Sequence, residues 1–281
     1  MDLFLHILQA IALGIVQGLT EFLPVSSSAH LTIVPWLFGW ETPGLVFDTS
    51  LHLGTAAALL LFFWKDFLRM AKSVLAPKSF TKKEDLHETR TLTLGVILGI
   101  LPAGIIGFLF DKQIESLFSQ ENLSKTIYVV SFTLIFFGVL LFLADKYGKK
   151  KKTLSSMNLK DACIIGLMQM VALIPGVSRS GSTMTAGMFL GYTRENAARF
   201  SFLLGTPITI LAGLFKLKDL YSITMDMPTI IYFLAGFISS FISGYLVIAF
   251  LISFLQKHTV TSFVIYRILL ALCISLFAFL R

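Results

Sequence analysis

The sequence predicts an all-α integral membrane protein, with six transmembrane helices and two re-entrant helical hairpins in an inverted-topology repeat. Three observations carry this. First, 56% of the 281 residues are hydrophobic and 14% are charged, against about 25% charged in a soluble domain; mean hydropathy is +0.81. Second, the apolar runs are long and continuous, as helical spans are, rather than alternating as in a barrel. Third, two pairs of shorter apolar segments are interrupted by small polar residues, and the two breaks resemble each other. The net charge of +7 sits in a few short loops, so nucleic acid is not expected as a partner. Cys163 and Cys273 lie in apolar segments without metal or disulfide spacing and read as small hydrophobes. Met1-Asp2 lacks a basic n-region, so no cleavable signal is expected.

A span needs about 20 apolar residues to cross a hydrocarbon core of ~30 Å. Leu45–Trp64, Leu92–Phe110, Thr126–Ala144, Asn196–Leu217, Thr229–Leu255 and Ser262–Leu280 satisfy this. Leu3–Leu23 with His30–Phe38, and Asp161–Ile174 with Ser182–Leu190, are joined by the breaks Pro24–Ala29 and Pro175–Gly181. Irregular backbone survives at membrane depth only where protein or a wet cavity satisfies it. His30–Phe38 and Ser182–Leu190 are too short to cross, so each pair reads as a re-entrant hairpin whose tip lies inside the protein. Trp36, Trp40 and Trp64 fit interfacial anchoring, Arg194 and Arg199 read as topology charges at the cytoplasmic end of the fourth span, and Asp48 and His52, four apart on the first span, are weaker candidates for the mouth of a site. His52 reads slightly better as a core histidine than as a site residue.

Orientation follows from Lys and Arg. The 65–91 loop holds seven, the 145–160 loop six, and residues 1–44 none, which puts both basic loops in the cytoplasm and both termini outside. The run Lys149–Lys152 is a topology determinant that can also meet anionic membrane lipid.

The halves repeat. Gly14-Ile-Val-Gln17 matches Gly166-Leu-Met-Gln169, Val25-Ser26-Ser27-Ser28 matches Val177-Ser178-Arg179-Ser180, and Leu53-Gly54-Thr55 matches Leu204-Gly205-Thr206. Three crossings separate the copies, so the second is inverted. The expected organisation is one membrane domain of two repeats, about 1–144 and 161–281, joined by a basic cytoplasmic loop at 145–160. Such folds place a site near the midplane, where the broken elements face each other.

The breaks carry the chemistry. Gln17 and Glu21 share a helix face, and a carboxylate inside a membrane is a functional-site hypothesis by default. Ser26, Ser27 and Ser28 supply hydroxyls, at least one of them as a helix cap. His30 follows Ser27 by three residues, within reach of one helical turn, and serine beside histidine is the activated-nucleophile pairing. Arg179 stands between Ser178 and Ser180 before a short helix; a guanidinium binds phosphate bidentately, and a helix start adds N–H donors. Thr183 lies one turn on. These donors suit a phosphate or diphosphate on a lipid. They leave two classes open: a phosphatase, or a transporter of an anion or lipid phosphate.

Gln17-Gly-Leu-Thr-Glu21, followed by Phe-Leu-Pro-Val-Ser-Ser-Ser-Ala-His30, resembles the (E/Q)xxxE region of the undecaprenyl-diphosphate phosphatases of the bacitracin-resistance type. Pro175–Thr183 resembles that family's PGxSRSxxT motif at every fixed position. The resemblance implies a bacterial plasma-membrane hydrolase. Such an enzyme converts undecaprenyl diphosphate to undecaprenyl phosphate and inorganic phosphate, recycling the carrier for peptidoglycan and giving bacitracin resistance. It implies a site opening to the outer side, a homodimer, a divalent cation (Mg2+ or Ca2+) with Glu21 as its ligand, and no organic cofactor. Glu21, Ser27, His30 and Arg179 are implied as catalytic; Gln17, Ser26, Ser178, Ser180 and Thr183 as substrate contacts. Gln at position 17 leaves one carboxylate where some members have two. The expected mechanism has Ser27 attack the terminal phosphorus while His30 moves the proton; in the alternative an activated water attacks.

Overall fold

The computed structural model describes residues 3–40, 44–116, 123–216 and 226–280. Leu217 and both chain termini, Met1 and Arg281, lie outside them. The described residues form twelve α-helices and no strand. In the first half, α1 (Leu3–Phe22) and α2 (Ser27–Phe38) are followed by α3 (Leu45–Phe62), α4 (Trp64–Leu75), α5 (Lys83–Leu109), α6 (Asp111–Ser116) and α7 (Leu123–Tyr147). In the second, α8 (Leu159–Val171) and α9 (Arg179–Phe189) precede α10 (Arg194–Lys216), α11 (Met227–Lys257) and α12 (Thr261–Leu280). Each half is thus a broken pair followed by three long helices, with α4 and α6 as additions to the first.

Six helices are long and apolar enough to cross a membrane: α1, α5, α7, α10, α11 and α12. The chain is a multi-pass membrane protein. The expected span at Leu45–Trp64 meets that criterion only together with α4, from which it is bent by 72°. The reason is length rather than composition: the described stretch, Val46–Phe62, is apolar although it carries Asp48, Ser50, His52 and Thr55, but it is too short to cross alone. Conversely, α1 is long enough to cross alone, about 30 Å at 1.5 Å per residue. Even so, the chain turns at its end and comes back.

That return is visible in the packing. One core cluster joins Ala10 and Leu13 of α1 with Leu31 of α2, Phe47 and Leu51 of α3, and Tyr232 and Phe233 of α11. Val34 and Trp40 pack against it, so the chain after α2 comes back to the end where α1 began. In the second pair, Tyr192 donates from its hydroxyl to Asp161 Oδ2 at 2.9 Å, and Lys152 bridges to Tyr192. The end of α9 therefore lies beside the start of α8, and burial with that carboxylate pushes the Tyr192 hydroxyl pKa well above its ordinary value.

The halves interlock. α1 packs on α11, and α8 packs on α5. A Cβ at Gly14 would lie 2.5 Å from Gly236 O, and one at Gly166 would lie 2.5 Å from Gly99 O. Only glycine admits such backbone contact, and these two glycines are partners in the repeat.

Charges close the end that carries the basic loops. Asp145 accepts from Arg194 Nε at 2.5 Å and from Val260 N at 3.2 Å, and also pairs with Lys150. Lys152 Nζ meets Asp161 at 2.7 Å. Part of the 149–152 run is therefore spent on fixing the loop. Arg199 pairs with Asp66 at 3.3 Å and lies over the Phe63 ring.

Candidate active site

The two breaks turn by one device. Ser26 has φ +75° and its side chain accepts from Ala29 N, starting α2. Ser178 has φ +73° and its side chain accepts from Gly181 N, starting α9. Non-glycine residues rarely occupy this region, and such strain, ~1–3 kcal/mol, persists only where the surroundings over-determine it. Here they do. Ser26 and Ser28 share a hydrogen bond of 3.1 Å, and Ser178 and Ser180 one of 3.2 Å. Ser180 also donates across to Leu23 O of the other tip at 3.1 Å. The fully buried Arg267 of α12 then ties everything together. It donates to Pro24 O of the first tip, to Gly176 O and Val177 O of the second, and to Thr133 O and Leu134 O of α7.

Where the tips cross, Glu21 sits on the last turn of α1 at 8% exposure. Its Oε1 accepts from Arg179 Nη2 at 2.6 Å. Its Oε2 accepts from Ser27 Oγ at 2.6 Å and from Gln17 Nε2 at 3.2 Å. His52 Nε2 is 3.6 Å from the same oxygen. One carboxylate thereby orients a hydroxyl from α2 and a guanidinium from α9. The cluster lies at the polar end of a cavity of about 1370 Å3, which Ser26, Ser28, Asp48 and Ser178 also line. One wall is apolar, formed by Ala103, Gly104, Gly107 and Phe108 of α5 with Ile208 and Leu211 of α10. Trp36, Trp40, Lys112 and Lys216 line its other parts.

Five positions differ from the sequence expectation. His30 is not paired with Ser27. Its Nδ1 is 2.7 Å from Ser26 O and its Nε2 is 2.6 Å from Tyr266 Oη, with the two rings stacked. The i−4 carbonyl takes one ring nitrogen, and the tyrosine takes the other. Gln17, Ser180 and Thr183 are fully buried behind the cavity rather than lining it. Thr183 donates to Arg179 O at 2.7 Å, and its hydroxyl is 2.7 Å from Ser201 Oγ. Together, Gln17, Ser180 and Thr183 hold the residues that reach the cavity. Tyr266 and Arg267 were not singled out in the sequence, although a lone arginine in an apolar span is itself a signal. His52 stands against Glu21 and lines the cavity, so the core reading of it does not hold.

The donor set does not make a cation cage. Both Glu21 oxygens are already bonded, one of them to a guanidinium that takes the place a cation would fill. Among the described residues no three His, Cys, Asp or Glu side chains converge to hold a metal.

The sequence over residues 10–273 matches the family model of bacitracin resistance protein BacA. An undecaprenyl-diphosphatase of Thermomicrobium roseum is 43% identical over 97% of this chain and 98% of its own. Two others are 44% identical: one from Pelobacter propionicus, over 94% of both chains, and one from Geotalea daltonii, over 98% of both. With the family model covering nearly the whole length and relatives this similar from end to end, the chain belongs to the BacA family.

Proposed function

We propose that this chain is a phosphatase that hydrolyses undecaprenyl diphosphate to undecaprenyl phosphate and inorganic phosphate at the crossing of its two re-entrant tips. The relatives' names support the reaction. The observation that carries the reading for this chain is the contact of Ser27, Glu21 and Arg179 at the end of a cavity with an apolar wall. Glu21 Oε2 takes the proton of Ser27 Oγ as that oxygen bonds to the terminal phosphorus, and the bridging P–O bond breaks. Arg179, with the N–H groups at the start of α9, neutralises charge on the transferred phosphoryl. Glu21 passes its proton to the departing lipid phosphate. It then takes one from the water that attacks the phosphoserine, and returns it to Ser27 Oγ as the P–Oγ bond breaks and inorganic phosphate leaves. His30, held by Ser26 and Tyr266, keeps the tip in register. A second reading, direct attack by water on a substrate held by Ser27, uses the same residues without the covalent stage.

The reaction belongs in the bacterial plasma membrane, with the cavity opening outward. Phe108 and Gly44 line the cavity at one end of their helices, and the basic loops lie at the other, so the positive-inside rule supports this orientation. Assay of phosphate release from undecaprenyl diphosphate by the purified protein tests the proposal. Turnover that Ser27→Ala removes is the expected result. Movement of labelled lipid across vesicles without phosphate release would favour a transporter instead.

A further inference from the structure

Among the described residues, one buried side chain that lines the cavity has both of its polar atoms unpaired. Gln169 of α8 is 3% exposed and lines the cavity, and neither its Oε1 nor its Nε2 has a hydrogen-bond partner. Exchanging the two amide atoms changes nothing, because both are unpaired. Gln9 and Gln17 also have an unpaired buried oxygen, but neither lines the cavity.

The repeat explains how this arose. Gln169 is the counterpart of Gln17, which donates to Glu21 one turn on at 3.2 Å. One turn on from Gln169 stands Leu173, so the second copy keeps the amide and lacks the carboxylate that would occupy it. Burying an unsatisfied amide is costly, and native proteins leave few such groups without a reason.

We propose that Gln169 is a substrate-binding residue that hydrogen-bonds the phosphoryl group that stays on the lipid. This rests on the phosphatase reading above. The terminal phosphoryl must lie at Ser27 and Arg179, where attack occurs. The second phosphoryl then lies further along the cavity, beside the apolar wall that takes the chain. Gln169 is buried and unengaged beside that wall, since its stretch of α8 runs from Gly166, packed on Gly99, to Leu173, which reaches Gly107 of α5. A neutral amide suits the task, since it directs the inner phosphate without holding the monophosphate product as a cation would.

The test uses the purified full-length protein and Gln169→Leu, with undecaprenyl diphosphate as substrate. KM should rise about tenfold, the scale of one lost hydrogen bond to a charged group. Affinity for undecaprenyl monophosphate, measured by calorimetric titration without turnover, should fall by a similar factor. Inhibition by inorganic phosphate should stay within twofold of the parent, because that ion occupies the terminal position. The thermal midpoint should equal or exceed the parent's, since the variant removes an unpaired polar group. Should the Leu variant not fold, Gln169→Asn, which withdraws the amide by one methylene, should show the same split. Monophosphate affinity unchanged within twofold would overturn the assignment. A parent that releases no phosphate but binds monophosphate through Gln169 would overturn the hydrolytic reading and leave this contact standing.

Discussion

At the scale of the residue, the site turns on the geometry of Glu21. Its two oxygens hold Ser27 and Arg179 at 2.6 Å each, so nucleophile and charge clamp are aligned by one group. Arg179→Lys keeps the charge but loses the planar fork, whose Nη2 donates to Glu21 and whose Nη1 donates to Ser201 O. Turnover should fall by at least ~100-fold, while folded yield in detergent stays near the parent's; near-normal turnover would make Arg179 a charge partner only. The sequence disclosed these residues because glutamate, arginine and clustered serines are conspicuous in hydrocarbon. It could not disclose their pairing. Three-residue spacing suggested Ser27 with His30, yet a positive φ at Ser26 starts α2 so that the imidazole bonds Ser26 O and Tyr266. Tyr266 is remote in sequence, and no local pattern links it to the tip.

At the scale of the element, the tips are held from outside themselves. Arg267 donates to carbonyls of both breaks and of α7, which replaces the water the break carbonyls would need. Arg267→Met leaves Pro24 O, Gly176 O and Val177 O without that donor in the core. Several kcal/mol of stability should be lost, at ~1–3 kcal/mol per buried unsatisfied group, and little folded protein should survive detergent extraction. A stable, active variant would mean that the tips hold themselves. The close approach of α5 and α8 gives a milder case. Gly166→Ala drives a Cβ against Gly99 O and should lower the thermal midpoint, at a cost of ~1–3 kcal/mol for overpacking. Both breaks were legible as interruptions of apolar runs, since only sheltered backbone tolerates them. The brace was not, because an arginine in α12 carries no sign of which carbonyls it will reach.

At the scale of the whole molecule, the halves exchange partners: α1 lies against α11, and α8 against α5. The constant offset between Gly14 and Gly166 and between Ser26 and Ser178 already carried the repeat, and the structure gives both serines the same left-handed backbone. The bend after α3 was less legible, since Leu45–Trp64 reads as one ordinary apolar span and no proline or glycine marks the turn at Phe63. Orientation is the prediction at this scale. Lys82 and Lys150 lie at the end away from the cavity, so cysteines placed there should resist labelling by impermeant reagents added to intact cells. Efficient labelling at either position would reverse the orientation.

The central claim is that Ser27 and Glu21 act as one unit in phosphoryl transfer. Turnover of Ser27→Ala, of Glu21→Asp and of the double variant on undecaprenyl diphosphate tests this most directly. Aspartate keeps the charge beside Arg179 but draws it back from Ser27, and a displacement of ~1 Å costs about 100-fold. Removing the hydroxyl should cost more. Because residues acting as a unit are grossly non-additive, the double variant should be no slower than Ser27→Ala alone. Near-parent turnover by Ser27→Ala, or losses that multiply in the double variant, would contradict the account.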